Sequence, residues 1–166
     1  MQRPNILITG VPGTGKTTVA NLISENTGLT YFNVGDFVRE HQLHEGWDEE
    51  FATYILNEDA LLTEMTPLIE NKGLVVEFHS PAVFPEDWFD LVIVLTCIND
   101  VLYPRLEARG YNEDKIQDNI ESEIMEVVLD EARECFEDKV IVFPCEELSH
   151  IDAVVSAVTN FLSQYS

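Results

Sequence analysis

The sequence predicts an α/β fold in which a five-stranded, mostly parallel sheet is flanked by helices, and three observations carry that prediction. Short β-branched apolar runs recur without polar alternation, as strands buried on both faces require. Between them, apolar residues return at helical spacing, so strands and helices alternate along the chain. A glycine-rich loop sits between the first such run and the first helical pattern. The chain has 166 residues, 45% of them hydrophobic, which suits one domain around a real core; no linker, repeat or low-complexity tract divides residues 1–166.

In chain order, Asn5 to Thr9 is the first strand, ended by Gly10. Lys16 to Asn26 is a helix on the spacing of Val19, Ala20, Leu22 and Ile23, and Gly28 is its stop. Tyr31 to Val34 is a short second strand, and Asp36 to His41 begins a helix. Asp59 to Asn71 carries Leu61, Leu62, Met65, Leu68 and Ile69 on one side of a helix. Leu74 to Phe78 and Leu91 to Leu95 are buried strands joined through a loop with Pro81 and Pro85. Asn99 is expected to cap a helix from Asp100 to about Ala108, with Pro104 distorting its early turns. The stripe Ile116, Ile120, Ile124, Val127 and Val128 predicts one long acidic helix to about Phe136. Val140 to Phe143 is the fifth strand and Ile151 to Leu162 the closing helix.

Charge narrows the partners. With 31 acidic against 9 basic side chains the net charge is −22, which opposes binding to nucleic acid or an anionic membrane and favours a basic protein, although the same excess also keeps a chain soluble. No apolar run approaches the roughly 20 residues of a membrane-spanning helix. The polar start lacks a cleavage-site pattern, and Cys97, Cys135 and Cys145 are odd in number and widely spaced, so a reducing compartment, cytosol or nucleus, is expected. His41 and His44 have no cysteine or further histidine nearby and are expected to be exposed residues rather than a metal pair.

Gly10-Val11-Pro12-Gly13-Thr14-Gly15-Lys16-Thr17 matches the Walker A pattern, between a strand and a helix as that pattern requires. Glycines such as Gly13 and Gly15 let backbone N–H groups curl around phosphate oxygens at a helix N-terminus. Lys16 would neutralise the β and γ oxygens of ATP, the Thr17 hydroxyl would ligate Mg2+, and Thr18 would sit by the α-phosphate. Glu77, at the end of a core strand, suits a Walker B acid holding a water of the magnesium shell. GTPases, motors and kinases share this loop. The absence of an Asn-Lys-x-Asp motif and the short chain leave kinases of small nucleotides.

Further motifs are Pro4 to Gly10 leading into the loop, Asn33-Val34-Gly35-Asp36, Phe84-Pro85-Glu86, Leu102-Tyr103, Arg105-Leu106-Glu107 and Arg109-Gly110-Tyr111-Asn112-Glu113. On these the chain resembles, along nearly its whole length, the adenylate kinase isoenzyme 6 family, nuclear adenylate kinases and ATPases linked to small ribosomal subunit maturation. The resemblance implies a nucleoside monophosphate kinase-like core with a monophosphate-binding region near residues 33–55 and a short lid near 108–118. It implies transfer from ATP to AMP together with ATP hydrolysis, a basic small-subunit ribosomal protein as partner, and a place in nucleus and cytoplasm. It gives Arg39, with Asp36 in support, the acceptor monophosphate; a helix N-cap explains Asp36 equally well. Arg105 and Arg109 would close over the transferring group, a task suited to the planar guanidinium fork. His79 is implicated with the Walker B acid in hydrolysis.

The chain departs from the family's pattern in three places. Glu77 stands where aspartate is usual, which moves the carboxylate by about one carbon–carbon bond and favours contact with magnesium through water. Ser80-Pro81-Ala82-Val83 replaces a stretch that commonly reads Gly-Cys-Asp-Phe, and Asp87 replaces a basic residue. A competing function is an ATP-hydrolysing assembly factor that binds a basic protein and uses the kinase fold as a switch.

Overall fold

Ile6–Thr9 forms a strand, β1, whose four residues are all buried, at the centre of a computed structural model that describes residues 3–50 and 53–165. After it come α1 (Lys16–Thr27), β2 (Thr30–Asn33), α2 (Val34–His41), β3 (His44–Asp48), β4 (Thr53–Leu56) and α3 (Glu58–Glu70). The second half contains β5 (Leu74–Glu77), β6 (Leu91–Thr96), α4 (Asn99–Ala108), α5 (Glu113–Ile124), α6 (Val127–Phe136), β7 (Val140–Pro144) and α7 (Leu148–Gln164). The main sheet has the order β2-β5-β1-β6-β7, and every neighbouring pair is parallel. Period-two alternation divides the core. Ile6 and Ile8 pack with Val19, Ile23, Val154 and Val158 from α1 and α7, whereas Leu7 faces Met65, Leu102, Leu106 and Phe136 from α3, α4 and α6.

Four expectations need correction. The predicted sheet is recovered, but β3 and β4 add a separate two-stranded antiparallel hairpin inside the region expected to bind the monophosphate. Residues 51 and 52, within that region, lie outside the described residues. The cap of α2 is Asn33, whose side chain accepts from the Asp36 backbone N–H at 3.0 Å, so Asp36 is not the cap. Asn99 is the first residue of α4 rather than its cap. The N–H groups of Cys97 and Ile98 there donate instead to Glu123 at 2.6 Å and Glu146 at 2.8 Å, carboxylates that complement the helix N-terminus. Helix α4 runs through Pro104.

The long acidic helix is two helices. At about 100° per residue, a continuous helix would put the buried face of Ile116 and Ile120 roughly 150° from that of Val128, Leu129, Ala132 and Phe136. A corner at Met125 and Glu126, the latter left-handed with φ 55°, turns both faces onto the same core. Ile124 and Val127, members of the predicted stripe, are left 59% and 41% exposed.

Candidate active site

The turn from β1 into α1 forms the phosphate-binding loop, and its geometry needs glycine where the wall is closest. A Cβ on Gly10 would sit 2.7 Å from both Leu95 O and Thr14 Oγ1, and one on Gly15 would sit 2.9 Å from Cys145 Sγ. Gly15 occupies the N-cap of α1 with φ 99°, presenting the helix N-terminus to the loop. Buried Thr14 braces the curl by donating to Val11 O at 2.8 Å. The Lys16 ammonium lies across the same loop, donating to Gly10 O at 3.0 Å and Val11 O at 3.1 Å. Burial pulls its pKa down to about 8; Glu77 opposes the shift and Arg109 adds to it.

Thr17 and Glu77 meet beside the lysine. The Thr17 hydroxyl is 3.0 Å from both oxygens of Glu77, at the C-terminal end of β5. Two residues of β2, the neighbouring strand, hold the other side of that carboxylate: the Tyr31 hydroxyl donates a short hydrogen bond to Oε1, and Asn33 Nδ2 lies 3.4 Å from the same oxygen and 3.0 Å from the Tyr31 hydroxyl. Burial, and then the bond to Glu77, push the Tyr31 phenol up to about 12, so it stays a donor at neutral pH. This answers the question raised by glutamate in place of aspartate: the longer side chain is seated by a three-residue clamp. A hydroxyl beside a carboxylate is a hard oxygen pair that fits Mg2+, which takes one or two protein oxygens and fills its shell with water and phosphate. Among the described residues no cluster of three or more His, Cys, Asp or Glu side chains suits a metal.

A cleft of ≈540 Å³ opens over this group, lined by Lys16, Thr17, Glu77 and Asn33 of the clamp, by Gly35 and Arg39 of α2, and by His79, Arg109 and Lys115. His79 stands at its mouth with its surface open to solvent. Crowding by the cleft walls, then the charges of Lys16 and Lys115, move the imidazole down to about 4. Arg109, the C-cap of α4, lines this cleft and also a second groove of ≈360 Å³ that contains Gly13, Gly15, Thr18, Arg105 and Ile151.

Three predicted site residues are placed differently from the rest. Arg105 lines only the second groove, its Nη1 donating to Cys145 O at 2.9 Å and Gly13 O at 3.2 Å, so it staples the phosphate loop to the segment after β7 instead of facing the acceptor wall. Asp36 is not part of the cleft lining; it pairs with Arg39 on the surface, with side chains 55% and 68% exposed. Thr18 is exposed in the second groove.

A strand–loop–helix site with a lysine, a threonine and a strand-end carboxylate is shared by many nucleotide enzymes, and comparison with known proteins narrows it. The chain is 41% identical over 163 residues to the adenylate kinase isoenzyme 6 homolog of Schizosaccharomyces pombe, covering 98% of this chain and 93% of that one. It is 47% identical over 140 residues to the homolog of Dictyostelium discoideum, covering 84% and 80%. The chain belongs to the adenylate kinase isoenzyme 6 family. A family model described as an AAA domain matches residues 6–126. The fold extends to more distant kinases: shikimate kinase from Acinetobacter baumannii in complex with shikimate superposes with a TM-score of 0.68 at 18% identity, covering 97% of this chain and 94% of that one. A gluconokinase from Sinorhizobium meliloti gives 0.60 at 13% identity, covering 98% and 96%.

Within this adenylate kinase isoenzyme 6 frame, the altered loop after His79 is a 3-10 turn at Pro81–Val83 that buries Pro81 and Val83, so the replaced stretch is core packing here. Among the two remaining histidines of the acceptor region, His41 lies against Phe37 at 4.1 Å and His44 stacks on Tyr54 at 4.3 Å. Sequence reasoning missed Tyr31 and the lid-side Lys115, which lies 4.2 Å over the Tyr111 ring. The signal for Tyr31 was available: it stands two residues before Asn33, on the same strand face.

Proposed function

We propose that this nucleotide kinase transfers the γ-phosphoryl group of ATP to AMP, giving two ADP, with Mg2+ neutralising charge on the transferring phosphates. The observation that carries this function is one cleft lined both by the phosphate-loop residues Lys16 and Thr17 and by Gly35, Arg39 and Arg109. An AMP phosphate oxygen bonds to the γ-phosphorus as the bond from that phosphorus to the β-bridging oxygen breaks, so no covalent enzyme intermediate is needed. Lys16 and Arg109 supply positive charge to the transferring group, and Arg39 exchanges Asp36 for the acceptor phosphate. Thr17 and Glu77 are the residues suited to hold the magnesium shell. Residues near 33–55 and 108–118 serve as acceptor region and lid of one domain. The deciding assay follows ATP loss and ADP gain with and without AMP. AMP-dependent formation of two ADP per ATP is expected, and a rate indifferent to AMP overturns the assignment.

A second activity, ATP hydrolysis, is favoured by one observation: His79 lines the same cleft as Lys16 and Glu77 and is open to solvent, where a ring nitrogen can orient a water. His79→Gly should impair hydrolysis more than transfer, because AMP brings its own aligned nucleophile. Equal loss in both maximal rates would give His79 a structural role. The charge of −22 supports a basic protein partner; the resemblance to the family is what makes that partner a small-subunit ribosomal protein, with a ribosome-maturation role and a nuclear and cytoplasmic location.

A further inference from the structure

The corner between α5 and α6 has no counterpart in the chemistry above. It keeps Glu126 in a left-handed conformation and leaves Ile124 and Met125 59% and 64% exposed, with Ile98 nearby at 56%. The corner seats both helices on the core, yet the exposed aliphatic side chains at its apex add nothing to that packing. Ile98 and Ile124 flank a groove of ≈620 Å³ whose floor includes Leu129 and Val142, and Asp100, Glu123, Glu126 and Glu146 also line it. No lysine, arginine or histidine lines it, and among the described residues none of its carboxylates forms an ion pair. Glu123 is held above the usual carboxylate range, first by burial and also by repulsion from Glu126 and Glu146, although the Cys97 N–H and Lys16 oppose the shift.

We infer that this groove docks a segment of a partner protein in which one or two aliphatic side chains are flanked by lysine or arginine. The apolar floor receives the aliphatic groups, and the acidic rim selects their cationic neighbours and rejects an anionic or purely apolar segment. A second copy of this chain, with the same net charge of −22, is repelled by the same rim. The inference rests on the basic-partner part of the proposed function and not on phosphoryl transfer, since the groove shares no lining residue with the nucleotide cleft.

The test titrates the full chain, isotope-labelled for NMR, with the blocked hexapeptide Lys-Leu-Lys-Lys-Leu-Lys. Controls replace both leucines by serine or all lysines by glutamate, and AMP-dependent turnover is read in the same samples. The lysine–leucine peptide should shift the amides of Ile98, Glu123, Met125 and Glu126. The serine version should bind about tenfold more weakly, and the glutamate version should not bind. Ile124→Ser with Met125→Ser should lower affinity about tenfold, and Glu126→Lys should lower both affinity and its salt dependence, with turnover and thermal midpoint unchanged. Equal binding of the serine peptide, shifts centred elsewhere, or no shift at all would overturn the inference. So would a concentration-dependent dimer abolished by the double serine variant. Loss of turnover without loss of peptide binding would fault the kinase assignment alone.

Discussion

The two walls of the cleft are built differently. The donor wall is finished before any ligand arrives: Lys16 is 7% exposed with two carbonyl partners, Thr14 is braced, and Glu77 is held by Thr17, Tyr31 and Asn33. The acceptor wall is sparse. Among the described residues the Arg39 side chain pairs with Asp36 alone, a surface pair of small intrinsic worth, and the β3–β4 hairpin beyond it exposes Trp47, Tyr54 and Ile55. The difference teaches that a fold can prepay the ordering of one substrate's site while leaving the other to be ordered by its ligand, the pattern suited to closure on binding.

Breaking the finished wall should have the largest effect. Lys16→Ala should lower transfer roughly 100- to 1,000-fold while the domain stays folded, measured as AMP-dependent kcat together with thermal denaturation. Near-normal turnover in a folded variant would remove the contrast altogether. The same substitution sharpens it thermodynamically. A lysine pKa lowered from 10.5 to about 8 by folding opposes folding at neutral pH, and that penalty fades as pH rises from about 8 to 10.5. The stability of the ligand-free wild type relative to the variant should therefore rise through this window in denaturant titrations.

Removing the clamp is the next test. Tyr31→Phe frees one side of Glu77 and should raise the Mg2+ concentration needed for half-maximal turnover about tenfold, leaving metal-free ATP affinity unchanged. An unchanged magnesium requirement would mean that Thr17 and Asn33 seat the carboxylate without Tyr31. On the sparse wall, Arg39→Ala should raise the KM for AMP about tenfold with stability unaltered, because its partner among the described residues is an exposed carboxylate. A fall in thermal midpoint would show that the acceptor wall is more finished than its contacts imply. The smallest effect is a proton count: at pH 9 ATP binding should take up close to one proton, as phosphate recharges the Lys16 amine, and at pH 6.5 close to none. Calorimetry in buffers of different ionisation enthalpy measures it.

The finished wall was also the legible one. Buried parallel strands announce themselves as continuous apolar runs, and Gly10 to Thr17 is one local motif, so the sheet and the loop follow from neighbouring residues. The hairpin did not announce itself: His44-Glu45-Gly46-Trp47-Asp48 has no apolar alternation, because the strand lies away from the core. The corner at Glu126 was hidden because neither glycine nor proline marks it; the opposed buried faces of α5 and α6 impose it. Arg105 was assigned from its neighbours to a phosphate, whereas its partners, Gly13 and Cys145, are distant in sequence. Tertiary staples of this kind leave no local pattern to find.

The position of β1 sets a timetable for synthesis. It is made before both of its partners in the sheet, β5, beginning at Leu74, and β6, beginning at Leu91. At about 5–20 residues per second, a ribosome takes roughly 3–13 s to travel from the end of β1 to the start of β5. Throughout that interval Ile6, Leu7 and Ile8, wholly buried in the finished protein, have no sheet to join. The nascent chain therefore carries an adhesive segment well ahead of its sheet partners, and a chaperone acting in that interval has an obvious address.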